Sequence, residues 1–262
     1  MASTSMTHSQ DKASALSQGL VIFIYLAILT GIEFFIALTM DSAPLLVLVA
    51  IVKAGLVAYY YMHIYRLTAV EAETDHHSYA YKLVSNRIGL WLFLLSDSFV
   101  FGGLLTTRIY LLGPTRPALN QFLGLTVTAV LLVSSFFMNR AETSMEHGDR
   151  KSFLLNATLT MLLGVAFLLG VVAVEWPNAI REGVTPASGT AGAVFFMMTG
   201  MHAFHVFTGV LFLLVVLRNA RRGLYSAEKH WAVEAATVYW HFVDLVWIFF
   251  YPALYLIGKL IG

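Results

Sequence analysis

The last apolar run of the chain contains two side chains that can carry protons or bind metals. His241 and Asp244 lie well inside it, although an ionisable group in hydrocarbon costs about 3 kcal/mol on insertion scales. Their three-residue spacing places both on one helix face, and Trp240 and Trp247, seven residues apart, bracket that face. The pattern predicts a polar stripe that contacts other helices or water.

Three more ionisable residues extend this cluster. His202 and His205 are three apart on the preceding apolar run, and Glu234 lies seven residues before His241, on the same face. A structural metal site needs three or four ligands with supporting contacts, and a di-haem bundle needs histidines at two depths on two helices. The chain offers a single cluster, so we expect no metal in it. We predict an inter-helix polar network that fixes helix register, formed by His202, His205, Glu234, His241 and Asp244.

The first two apolar runs carry one charge each. Measured from the turn between them, the helical rise puts Glu33 about 12 Å and Lys53 about 17 Å into the membrane. The lysine stem can bridge the difference. We predict that Glu33 and Lys53 form an ion pair, with contact between each residue and a partner subunit as the alternative.

A polar segment follows the second run and contains His76 and His77 among Glu71, Glu73 and Asp75. Histidine titrates near pH 6.5 and carboxylates near about 4. The segment could therefore collect protons for a nearby channel mouth; the alternative is a solvated charged loop.

The composition indicates a polytopic membrane protein. Of 262 residues, 58% are hydrophobic and 12% are charged, against about 25% charged in soluble domains. A net charge of +1 gives no reason to expect nucleic acid, and zero cysteines exclude disulfides and cysteine-ligated metals.

We predict an all-α fold with seven transmembrane helices, because seven apolar runs reach about 20 residues each. The runs cover 19–40, 43–65, 88–113, 121–139, 153–174, 190–217 and 236–259. Lysines and arginines between the runs number eleven on the side of the N-terminus and four on the other side. The positive-inside rule then predicts a cytoplasmic N-terminus and a C-terminus outside.

From Asn86 onward the chain resembles subunit III of haem–copper respiratory oxidases. The similar stretches are GLWLFLLSDSFVFGG, FFMMTGMHAFHVFTGVLFLLVV and HWAVEAATVYWHFVDLVWIFFYPALYLIG, in the order and at the spacing of that family. The YWHFVDLVW form is similar to the cytochrome c-oxidising branch, whereas the SDS triplet at Ser96–Ser98 is closer to the quinol-oxidising branch.

The segment before Asn86 has a different resemblance. IVKAGLVAYYYMHIYRL is similar to bacterial oxidase subunit IV, which favours a fusion of two subunit IV-like helices to five subunit III helices. Alternatively, these are the first two helices of subunit III, which seven-helix members separate from the others by a lipid-filled cleft. The predicted organisation is a polar tail over 1–17, a hairpin with its loop over 18–85 and a five-helix bundle over 86–262.

The subunit III resemblance implies a role for Asp97. It lies ten residues past Arg87, about 15 Å along a helix, near the middle of the bilayer. It corresponds to a buried carboxylate, usually Glu, that faces the catalytic subunit and could tune proton uptake there. The alternative is a protonated carboxyl with a purely structural role.

The resemblance implies a non-catalytic accessory subunit of an aerobic oxidase that couples electron transfer to proton pumping. Haem and copper would lie in partner subunits I and II, and this chain would bind phospholipid and support assembly, turnover stability and proton uptake. The expected location is the bacterial cytoplasmic membrane, with membership of a larger respiratory supercomplex left open. The alternatives are an accessory protein of a nitric oxide reductase, a subunit of a quinol oxidase, and a transporter, although the inverted repeats typical of transporters are absent from the sequence.

Overall fold

The structure is a computed structural model that describes residues 2–40, 42–67 and 79–260, and it is almost entirely helical. Its helices are α1 (Ala2–Thr39), α2 (Ala43–Leu56), α3 (Tyr79–Leu112), α4 (Gln121–Glu146), α5 (Arg150–Leu169), α6 (Trp176–Arg181), α7 (Thr190–Arg221) and α8 (Trp231–Tyr251). Three π-helical turns, Val57–Tyr61, Gly170–Glu175 and Pro252–Leu256, extend α2, α5 and α8, and a 3-10 turn covers Ile64–Leu67. Two short strands, β1 (Thr115–Arg116) and β2 (Lys259–Leu260), pair in parallel.

The seven predicted transmembrane helices are confirmed within the described ranges, each long and apolar enough to cross a membrane. Several are longer than predicted. The polar residues before 18 continue α1 as helix, and α3 begins nine residues before the predicted start. Asn120 caps α4 by accepting a hydrogen bond from the Leu123 amide, and Asp149 caps α5 through the Ser152 amide.

The last helix lies at the centre of the bundle. In the most apolar 18-residue window of each helix, 83% of the residues are buried in α8 and 11% are buried in α3. The α8 segment packs on α2, α3, α4 and α7. Trp240 fits closely over Gly164 and Gly209 on neighbouring helices, where a side chain would collide with its indole ring. The polar stripe predicted on this helix therefore faces protein.

The hairpin of α1 and α2 packs directly on α4 and α8. The rings of Phe23 and Phe136 lie 4.8 Å apart. Tyr61, at the end of the hairpin, is fully buried, and its ring lies 4.9 Å from that of His241 on α8. The hairpin and the bundle thus share one buried interface.

We call the bundle end that carries Lys12 and Glu234 the N side, and the end that carries Gly113 and Gly258 the C side. Arg108, near the end of α3, closes the C side. It is buried and donates hydrogen bonds to the carbonyls of Gly113, Thr115, Ala253 and Ile257 at 2.6–3.0 Å. A basic residue near a helix C-terminus can satisfy carbonyls left without helical partners, and here it also anchors the end of the chain.

Candidate functional site

Asp97 and His205 form an ion pair between α3 and α7. Asp97 Oδ2 lies 3.2 Å from His205 Nε2, and the two side chains are 14% and 11% exposed. The other ring nitrogen, Nδ1, bonds to the Met201 carbonyl over 2.7 Å. A carbonyl only accepts, so Nδ1 carries a hydrogen. Nε2 is therefore the ring nitrogen that faces the carboxylate of Asp97.

The surroundings leave the pair close to the surface of the subunit. Phe101 packs its ring edgewise against His205 at 4.7 Å. On the outward face of α3, Phe93 and Phe99 are exposed by more than half. Asp97 therefore lies on α3, the membrane-spanning helix with the smallest buried share among those described.

The five residues of the predicted polar network do not form one network. His205 pairs with Asp97, and Glu234 pairs with Arg87 rather than with His241. The physical reason is the central position of α8: residues on one of its faces meet different helices at different depths. The spacing identified the face correctly and did not identify the neighbours.

His202 lies in an aromatic environment. Its ring is 4.8 Å from that of Trp247 and 5.5 Å from that of Phe167. Its two nitrogens find no hydrogen-bond partner among the described residues. This arrangement favours packing over chemistry at His202.

His241 and Asp244 point toward the hairpin. The His241 ring lies 4.9 Å from that of Tyr61, and the Asp244 carboxyl interacts with Ser135 and Lys53. His241 is fully buried and Asp244 nearly so. The polar stripe of α8 thus completes the interface between hairpin and bundle.

Glu33 and Lys53 meet inside that interface. Lys53 Nζ donates to Glu33 Oε2 over 2.5 Å, and both side chains are buried. Because an unpaired charge at this depth would be costly, each residue depends on the other to be tolerated in the membrane.

A second charged cluster, missed from the sequence, closes the interface on the N side. Arg66 lies 2.7 Å from Glu146 and 3.6 Å from the buried Glu142, and His63 lies 3.8 Å from Glu142. Burial, together with the charge of Arg66, lowers the pKa of His63 to about 4. The four-residue spacing of the two glutamates is the signal that could have indicated a shared cationic partner.

Some predicted site residues cannot be placed. His76 and His77, with the acidic residues around them, lie outside the described residues. Across the described ranges, no three His, Asp or Glu side chains come together in a way that could hold a metal ion.

Comparisons with known proteins identify the family of this arrangement. The family model of cytochrome c oxidase subunit III matches residues 8–259. The chain is 32% identical to cytochrome c oxidase subunit 3 of Thermostichus vulcanus over 179 residues, which cover 66% of this chain and 87% of the relative. It is 39% identical to that of Xenopus laevis over 186 residues and 37% identical to that of Gadus morhua over 188, in each case 66% of this chain and 70% of the relative. The family match includes the hairpin, whose subunit IV-like origin stays a prediction.

Proposed function

The chain belongs to the cytochrome c oxidase subunit III family and is an accessory subunit of a haem–copper oxidase, and on this premise we propose that it acts as a non-catalytic scaffold beside the catalytic subunit. In this role it supports assembly, turnover stability and proton uptake. Electron transfer to oxygen and proton pumping are carried out by the partner subunits I and II, which hold the haem and copper.

The observation that carries this proposal is the Asp97–His205 pair on the least covered helix. A carboxylate in the membrane needs a partner, and this one has a histidine on one side and an open helix face on the other. We propose that the face of α3 around Asp97 docks against subunit I. There the pair contributes to the electrostatics of proton uptake.

The names of the relatives favour cytochrome c as the electron donor, over a quinol or a nitric oxide reductase complex. The excess of basic residues on the N side supports a cytoplasmic N-terminus and an external C-terminus in a bacterial cytoplasmic membrane. Phospholipid is expected on the exposed apolar surface, where Tyr110 and Phe122 project outward. The α1–α2 hairpin and the bundle of α3 to α8 are proposed to act as one body, because the hairpin packs directly on α4 and α8.

The test of the proton-handling role is Asp97→Asn in the assembled oxidase, with Ser98→Ala as a matched control on the same helix. Ser98 bonds only to the Leu94 carbonyl of its own helix. We expect Asp97→Asn to change the pH dependence of turnover and proton pumping between about pH 6 and pH 9, and Ser98→Ala to leave it unchanged. An unaltered profile for Asp97→Asn would remove proton uptake from the function and leave the structural role.

A further inference from the structure

Buried polar atoms without hydrogen-bond partners lie along one line between the hairpin and the bundle. Among the residues that the structure describes, they are Glu33 Oε1, Asn139 Oδ1, both His241 nitrogens and Asp244 Oδ2. All four residues are less than one-tenth exposed. About 90% or more of buried polar groups in proteins bind another protein group or an ordered water. A row of such atoms therefore points to water as the ligand.

A cavity of about 150 Å³ opens this line to the N side. Gln18, Arg66 and Glu146 line its outer part, and Thr143 and Asn139 belong to its lining on α4. Gln18 is exposed. Since water occupies about 30 Å³ per molecule in the liquid, the cavity has room for about five waters.

A stripe of polar residues on α4 extends inward from the cavity. Thr143, Asn139 and Ser135 follow one another at four-residue spacing and so lie on one helix face. Ser135 faces Asp244, which also interacts with Lys53, and Lys53 is bound to Glu33. The polar line thus runs from the N side to the ion pair inside the hairpin.

Beyond the ion pair the interface is lined mainly by apolar side chains, and Ile36, Leu46 and Ala50 are almost fully buried there. Two polar groups remain on this side. The indole nitrogen of Trp247 donates to Thr128, and the buried hydroxyl of Tyr251, which interacts electrostatically with Glu33, has no hydrogen-bond partner among the described residues.

We propose that this line is a water-filled half-channel, open on the N side and leading inward to the Glu33–Lys53 pair, through which Asp244 exchanges its proton with water. In this exchange the carboxyl O–H breaks as a proton passes to the adjacent water, and the reverse transfer restores it, with no change in oxidation state. The half-channel is separate from the Asp97–His205 pair on α3 and goes beyond the proposed function.

Two adjacent serines provide a matched test by X-ray radiolytic footprinting, in which radicals formed from nearby water oxidise side chains. Ser134 and Ser135 are both fully buried. Ser135 faces Asp244, whereas Ser134 bonds to Trp240 and the Leu131 carbonyl. In the assembled oxidase, we expect the S135C thiol to oxidise about tenfold faster than the S134C thiol, because thiol oxidation follows access to the oxidant.

The route is tested by adding Asn139→Leu, which places an apolar side chain between the cavity and Ser135. The S135C rate should then fall to that of S134C. If the cysteine variants do not assemble, the native chain still provides a readout: Tyr61, beside the channel, should be labelled, and the buried Phe153 should not. Equal rates for S134C and S135C, equal labelling of Tyr61 and Phe153, or an S135C rate unchanged by Asn139→Leu would each overturn the half-channel.

Discussion

Arg87 and Glu234 connect α3 to α8 by two parallel hydrogen bonds on the N side. Arg87 Nε lies 2.6 Å from Glu234 Oε1, and Nη2 lies 3.0 Å from Oε2. The carboxylate is almost fully buried. This geometry is specific to arginine, because lysine cannot present two donors in a planar fork. The pair therefore holds the least covered helix against the most covered one.

Loss of this fork should loosen α3. Arg87→Gln leaves a buried carboxylate without its cation, and we expect a loss of about 3 kcal/mol in stability. Arg87→Lys keeps the charge and should cost less. The melting temperature of the purified complex measures both variants, and the double variant Arg87→Gln/Glu234→Gln should recover part of the loss. A double variant as unstable as the sum of its single changes would contradict a direct pairing.

The buried Glu33–Lys53 pair predicts a similar non-additivity inside the hairpin. Lys53→Met alone leaves Glu33 as an uncompensated charge, which costs about 3–5 kcal/mol. Lys53→Met with Glu33→Gln removes both charges and should be tolerated better. The amount of this chain retained in the complex after detergent extraction reports the difference. Equal retention of the single and the double variant would show that the two residues do not depend on each other.

His63 should make the complex sensitive to acid. The pKa of the His63 imidazole is 6.5 in an unfolded chain and falls to about 4 in the folded protein. Between these values the unfolded chain binds more protons, so stability falls as the pH falls from about 6.5 to about 4, by at most about 3 kcal/mol. His63→Asn should reduce that loss, and asparagine also tolerates the positive φ of 50° at this residue.

The measurement is the melting temperature of the complex at pH 7.5 and at pH 4.5, with His230→Asn as the control. His230 is near the surface and bonds only locally, to the Ser226 carbonyl. We expect the His63 variant to lose less stability than the native protein between the two pH values, and the His230 variant to behave like the native protein. An unchanged loss in His63→Asn would contradict a buried neutral imidazole.

Replacement of two glycines by alanine should affect stability differently. A Cβ at Gly164 would lie 2.3 Å from Trp240, whose indole is held by a hydrogen bond to Ser134. We expect Gly164→Ala to cost about 1–3 kcal/mol. Nothing lies within 4 Å of a Cβ at Gly31, so Gly31→Ala should be neutral or stabilise α1 by about 1 kcal/mol. Thermal unfolding of the two variants gives the comparison, and equal melting temperatures would contradict the close packing at Trp240.

The sequence was sufficient for the spans and for the faces of the helices. Hydrophobic length predicted all seven membrane helices, and the helical rise together with the length of the lysine stem predicted that Glu33 and Lys53 pair. In both cases one helix or one hairpin sets the geometry, so local periodicity is enough.

The partners across helices could not be derived in the same way. Glu234 was expected to join one inter-helix network with His241 and instead binds Arg87, because the central helix contacts different neighbours along its length. Arg108 was one of the four basic residues counted on the side away from the N-terminus, and it is buried among backbone carbonyls because residues 252–258 fold back over it. Such contacts depend on the packing of several helices, which no spacing within one helix records.

We propose that this chain stabilises a working oxidase without holding its redox centres. The most direct measurement compares the oxidase with and without the chain, by optical spectrum, initial turnover and lifetime during sustained turnover. We predict unchanged haem and copper signals, near-normal initial turnover and a shortened lifetime. Loss of a redox signal, or an unchanged lifetime without the chain, would contradict the claim.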